Sequence, residues 1–320
     1  MRSIRHPGPV IEPAVLALPA QLRTVRTRIE AGSTLLEGFA GLLRQYACQS
    51  AVARLGKSSL WPVVYVLPAL SRSPEHAVYY SDRHVPDAPL ALETGAVTIG
   101  LKGDELWLHC HASWYDADGF WHCGHLLPDE TVLDAPMEVE LTLLGGAGFV
   151  VCQDVHTNFS LFKPRELAEM PRSSNHSDSL NSTGTTAASV SHCGETSEIQ
   201  AGWCLRIAPN VDLCEAIETF CRDNNLRQAQ VLGGVGSTVG AMFDDGRVVD
   251  PFVTELMIEK GLVTSDLMRN ETDQMASREC VVAQLDVALI DYQGGVHRGR
   301  LSRGENPVLV TCELVIAELR

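Results

Sequence analysis

With 320 residues, 45% hydrophobic and 20% charged, the chain has the make-up of a folded, soluble protein long enough for two ordinary domains. A net charge of −15 argues against broad contact with phosphate backbones, which requires a basic face. No run of 18 apolar residues offers a membrane span, and the ten cysteines form neither a CxxC pair nor a regular framework, which predicts reduced thiols in a cytoplasmic protein.

In chain order, residues 1–21 start basic but prolines break the apolar stretch, which predicts an N-terminal arm rather than a signal peptide. Residues 28–43, RIEAGSTLLEGFAGLL, read as a helix with a capping box of Thr34 and Glu37. Strand-like runs follow: VVYVL, AVTIG, ELWLHCHAS, FWHCGHLL, MEVELTLL and GFVVC. Residues 166–199, rich in Ser, Thr and Asn and without periodicity, read as a linker. Beyond it a helix is predicted over 206–221, with Asp212 and Glu215 as its capping box and Leu213, Ala216, Ile217 and Phe220 on its core face. The strand-like runs AQVLGGVG, GAMF, VVAQLDVALI, VHRGRL and VLVTCELVIAEL complete the chain.

The chain repeats itself. Residues 116–141 and 291–316 align without a gap and share seven of 26 positions: Asp116, Gly119, His122, Gly124, Leu126, Glu130 and Glu138 match Asp291, Gly294, His297, Gly299, Leu301, Glu305 and Glu313. The helices align as well. This predicts a tandem organisation: the arm at 1–21, one domain at 22–165, the linker at 166–199 and a second domain at 200–320. Each domain is of α/β class in its α+β form, a mostly antiparallel sheet with one packed helix.

A helix, VLGGVG, HCH, a turn with DADG, GHLL and MEVEL together resemble the PPC domain, the plant and prokaryote conserved domain also called DUF296, and the resemblance spans both repeats. It implies trimeric assembly, here a trimer or a pseudo-hexamer, and in prokaryotic members a metal held by three histidines, which would be His109, His111 and His125. It also implies an association with DNA, because plant members carry AT-hooks.

Local chemistry bears on the metal. His109 and His111 share one face of a strand. If DADG closes a two-residue loop, His125 sits opposite Cys110 and faces away. If it forms a three-residue loop with Gly119 left-handed, Asp116 pairs with Phe120 and His125 falls opposite His111. Glycine at 119 favours the second geometry. Three imidazoles with an open position suit a divalent metal, Zn²⁺ first and Ni²⁺, Fe²⁺ or Mn²⁺ as alternatives. His122 belongs to the other strand face, with a packing or surface role. Cys110 alternates away from the histidines, whereas Cys123 shares a face with His125.

In the second copy His109, His111 and His125 become Gln284, Asp286 and Arg300, so that copy is expected to be metal-free, with Asp286 and Arg300 as an ion pair. Glu138, Gly119 and Gly124 are candidates for structural or ligand-orienting roles. GGVGSTVG at 233–240 lacks the third glycine of a dinucleotide loop, Val239 standing there, and reads as a close backbone approach. Arg298-Gly299-Arg300 lacks the proline of an AT-hook and aligns with a strand. Two functions follow: metal-dependent chemistry on a small anionic molecule, or a non-catalytic ligand-sensing or DNA-associated role, against which the charge weighs.

Overall fold

The computed structural model describes residues 2–170, 198–268 and 278–319. Residues 171–197, the body of the expected linker, lie outside the described residues. The first half contains β1 (Val15–Ile29), α1 (Leu35–Gln45), β2 (Ser50–Leu55), β3 (Ser58–Leu60), β4 (Tyr65–Val66), β5 (Pro68–Leu70), β6 (Val78–Tyr80), β7 (Leu90–Lys102), β8 (Glu105–Tyr115), β9 (Trp121–Leu126), β10 (Met137–Gly145), β11 (Ala147–Gln153) and β12 (Ser160–Glu166). The second contains β13 (Gln200–Ile207), α2 (Leu213–Asp223), β14 (Gln228–Met242), β15 (Val248–Met268), β16 (Arg278–Asp291), β17 (Val296–Arg300) and β18 (Val308–Glu318).

Strand dominates and nearly every pairing is antiparallel; β7 with β11 is a parallel one. Two short helices on so much sheet, among the described residues, make this a predominantly β form of the α+β class. Outward from the middle, the first half runs β1, β10, β2, β7, β8, β9 and the second runs β13, β18, β14, β15, β16, β17. The orders correspond strand for strand. β1 and β13 pair antiparallel, from Val15 opposite Ile207 to Leu22 opposite Gln200, and so join the half-sheets edge to edge.

The half-sheets also pack face to face, β14 against β2 and β7, and β16 against β9. Strand alternation explains why. On β8 the even residues Leu108, Cys110, Ala112 and Trp114 join the core beneath α1, with Leu35, Phe39, Leu42 and Leu43 from the helix. The odd residues, including His109 and His111, face the other half. Leu213, Ala216, Ile217 and Phe220 of α2 pack into the second half's core. Between the halves lie Leu22, Val52 and Phe149 from the first and Cys204 and Val315 from the second. Each such aliphatic or aromatic side chain contributes on the order of 2 kcal/mol by leaving water. The glycine run of β14 permits the contact. A Cβ at Gly233 would lie 2.9 Å from Val52 Cβ, and one at Gly236 would lie 2.5 Å from the Thr311 carbonyl oxygen.

Several expectations are corrected. Residues 28–29 and 206–207 end strands rather than begin helices. The reciprocal capping box is complete at Thr34 and Glu37. At α2, Asp212 accepts from Glu215 N at 2.9 Å, but the Glu215 carboxylate turns to Arg303 at 3.0 Å. VVYVL yields a two-residue strand, while β1, β2, β13 and the long β15 were not among the predicted strands. Of the expected arm, residues 15–21 belong to β1, and the stretch before them touches both halves: Ile4 exchanges hydrogen bonds with the Asn210 side chain at 2.7 and 2.8 Å, and Gly8 N donates to the His156 carbonyl at 3.0 Å.

Candidate metal centre

The turn after β8 has the three-residue geometry. Asp116 N donates to the Phe120 carbonyl at 3.0 Å, Gly119 N donates to the Asp116 carbonyl at 3.0 Å, and Gly119 is left-handed at φ +83°. That register sets His111 directly opposite His125. His109, His111 and His125 therefore converge, each offering one ring nitrogen, all within 4.8 Å of one another. Gly124 stands beside His125 because a Cβ there would meet the Trp114 ring at 2.9 Å.

Hydrogen bonds fix which nitrogens face inward. His111 Nδ1 donates to the Leu256 carbonyl at 2.8 Å, and His109 Nδ1 donates to Glu313 Oε2 at 2.8 Å. A carbonyl and a carboxylate only accept, so both Nδ1 atoms carry protons and the Nε2 atoms are left for the site. Those Nε2 atoms lie 3.1 Å apart. Burial by itself would strip His109 of charge, but Glu313, by charge and hydrogen bond, and Glu255 outweigh it and raise its pKa. Burial, then the neighbouring His109 and His125, hold His111 well below the ordinary imidazole value, so it is neutral.

Glu255 of β15 lies 3.7 Å from His125 Nδ1 and 4.0 Å from His111 Nε2. Both His125 Nδ1 and Glu255 Oε2 are buried without a hydrogen-bond partner among the described residues. Behind Glu313 runs a chain of buried polar groups. Thr311 Oγ1 donates to Glu313 Oε1 at 3.1 Å, Arg206 Nε donates to Thr311 at 3.3 Å, and Arg206 meets Asp154 at 3.2 Å. Sequence reasoning missed Glu255, Glu313 and Arg206 as parts of this site.

The other candidates lie apart from it. Glu138 is exposed, in a separate hollow with Arg26 and Arg54, and orients no histidine; its repeat counterpart Glu313 does so from the opposite half. The reason is the face-to-face packing, which sets each half's sheet against the other's strands. Cys123 packs among Ala96, Val235, Met257 and Ala288 and is not in the histidine group. Cys110 is buried, its thiol pushed up to about 12 by desolvation. His122 bonds Asp116 across its own hairpin at 2.8 Å, and His297 repeats this with Asp291 at 3.1 Å, so the shared Asp and His hold the turn. Asp286 and Arg300 stand opposite each other and pair at 2.8 Å, while Gln284 is exposed.

A mostly antiparallel α+β chain whose halves share one strand order, with a buried histidine cluster at their junction, is thus the class defined by fold and site. Residues 194–320 match the model of the Plants and Prokaryotes Conserved (PCC) domain. No curated protein matches the chain. Among solved structures, a plant- and prokaryote-conserved (PPC) protein from Pyrococcus horikoshii is 16% identical with a TM-score of 0.37, covering 49% of this chain and 100% of its own. A metal-containing protein from Archaeoglobus fulgidus is 16% identical with a TM-score of 0.35, covering 51% and 99%. A "putative DNA binding protein" from Bacteroides thetaiotaomicron is 11% identical with a TM-score of 0.35, covering 44% and 91%.

Proposed function

We propose that the protein holds one divalent metal ion, zinc by preference, on His109, His111 and His125, and acts there on a small molecule. One observation carries this reading. Two imidazole Nε2 atoms whose opposite nitrogens are committed to acceptors face each other at 3.1 Å. Such lone pairs repel unless a proton or a metal ion lies between them, and the convergence of a third ring nitrogen from His125, all within 4.8 Å, favours the ion. Nitrogen ligands on tetrahedral zinc stand about 3.3 Å apart, given Zn–N bonds of about 2.0–2.1 Å. The unpartnered His125 atom fits the same explanation. A bound ion supplies Lewis acidity. The chain's residues do the rest: Glu313 orients His109 and raises its basicity, the Leu256 carbonyl fixes His111, and Glu255 is placed to take up or return a proton at Oε2.

The first half is read as a second PCC-like unit on the strength of its matching strand order, and the second half as the metal-free partner that supplies Glu313 and Glu255. DNA binding, the property in the name of the Bacteroides protein, is disfavoured by the Arg-Gly-Arg segment itself. Arg298 is paired with Glu259 at 2.7 Å and Glu93 at 3.4 Å, and Arg300 with Asp286. Metal analysis of purified protein tests the proposal. Wild type is expected to retain about one zinc per chain and His111→Ala at least tenfold less. Wild type without stoichiometric metal, even after reloading, overturns it.

A further inference from the structure

A cavity opens above the histidines, lined by residues of both halves. Among the described residues, the first half alone supplies its aromatic wall. β6 lies between β2 and β7, where the second half passes directly from β14 to β15, and it brings Tyr79 and Tyr80. The turn before β12 brings Phe159. Tyr79 stacks on Phe159 with centroids 5.8 Å apart, and Tyr80 meets His125 edge-on at 5.4 Å. Val78, Val253 and Leu309 continue the apolar lining, and the floor is His109, His111 and Glu255.

Charge decides what such a cavity accepts. Among the described residues that line it there is no lysine or arginine. Glu255 lines it and Glu313 stands directly behind His109, so two carboxylates balance the two charges of a divalent ion. An anion entering the cavity gains no net attraction and meets Glu255 at short range in a poorly screened setting. Glu255 Oε2 is instead a buried acceptor without a donor, a state that an incoming N–H or O–H relieves.

We infer that the cavity takes a compact uncharged molecule with an aromatic body and a hydrogen-bond-donating head, and discriminates against anions. This reading replaces the small anion expected from sequence. It rests on the proposed site for where the head lies, while the wall and Glu255 act with or without the ion.

Ligand-observed NMR titration of the full chain, both zinc-loaded and chelator-stripped, tests it with three probes: benzamide, the isosteric anion benzoate, and acetamide, which keeps the head without the ring. Benzamide is expected to bind at least tenfold more tightly than either of the others in both forms, because ring burial and Glu255 pairing act in both. Phe159→Ala should weaken benzamide at least fivefold and leave acetamide unchanged. Tyr79→Ala, on the exposed side of the wall, provides the same comparison should Phe159→Ala not fold. Glu255→Gln should narrow the gap between benzamide and benzoate. Benzoate binding as tightly as benzamide, or acetamide matching benzamide, overturns the inference. Absence of retained metal overturns the metal reading alone, and the stripped-protein comparison still decides this one.

Discussion

Glu313 and Glu138 occupy the same place in the two repeats and do different work. Glu313 is 1% exposed and receives the His109 N–H, whereas Glu138 is exposed and faces Arg26 and Arg54. Removing the Glu313 charge leaves His109 less basic and free to turn. Glu313→Gln is therefore expected to lower zinc affinity about tenfold to a hundredfold, read by competition with a chromophoric chelator, and Glu138→Gln to leave it unchanged. Equal effects from both substitutions would remove the asymmetry between the halves. The three histidines were legible in sequence because they are local: one HxH and one GH across a glycine-bearing turn. Glu255 was not legible. It stands 144 residues beyond His111 in no motif, within β15, where residues 253–258 are buried on both faces. An acidic residue in such a strand is its own signal, since it needs a partner or an ion. That signal could be read only after the strand itself had been recognised.

The hairpin joining β8 and β9 converts one backbone angle into the position of a ligand. Moving the register by a single residue would turn His125 to the opposite face. Gly119 has open space around a would-be Cβ, so its requirement is purely the left-handed backbone at φ +83°. Gly294 holds the equivalent turn in the second half at φ +86°. Each glycine to alanine should cost about 1–2 kcal/mol in a urea titration, the penalty for a left-handed L-residue. Gly119→Ala should also weaken zinc binding, while Gly294→Ala should spare it. Metal loss in both variants would show that global stability, rather than hairpin register, governs the site. Among the elements, this hairpin and the core face of α2 were readable because turn chemistry and helical spacing are local rules. β1 and β13 were obscured by adjacency. Each runs within a few residues of a strong helix cap, so its last residues read as part of the helix.

Duplication shows in the sequence, but how the copies meet does not, because comparing repeats aligns like with like while the structure sets unlike surfaces together. VLVTCELVIAEL reads as a strand buried on both faces without revealing that its second cover is the other half. The same holds for the buried charges that clamp the halves. Asp154 of the first half contacts Lys163 at 2.9 Å and Arg206 of the second half at 3.2 Å, with Asp154 fully buried and Arg206 1% exposed. Burial alone would raise the Asp154 pKa, but Lys163, the Thr157 N–H and Arg206 outweigh it and hold the carboxyl below its ordinary value. Asp154→Asn leaves two buried cations without their anion and should cost about 3–5 kcal/mol at neutral pH. The sign of the pH dependence follows from the lowered pKa. Between the folded and the unfolded values the unfolded chain binds more protons, so this contribution is complete above the unfolded carboxylate pKa of about 3.9 and is lost as pH falls through the folded value. In urea titrations the gap between wild type and Asp154→Asn should hold steady from pH 7 to about pH 5 and close only below about pH 4. A gap under about 1 kcal/mol at pH 7, or one that persists unchanged into strong acid, would mean that the halves are held by their apolar faces alone.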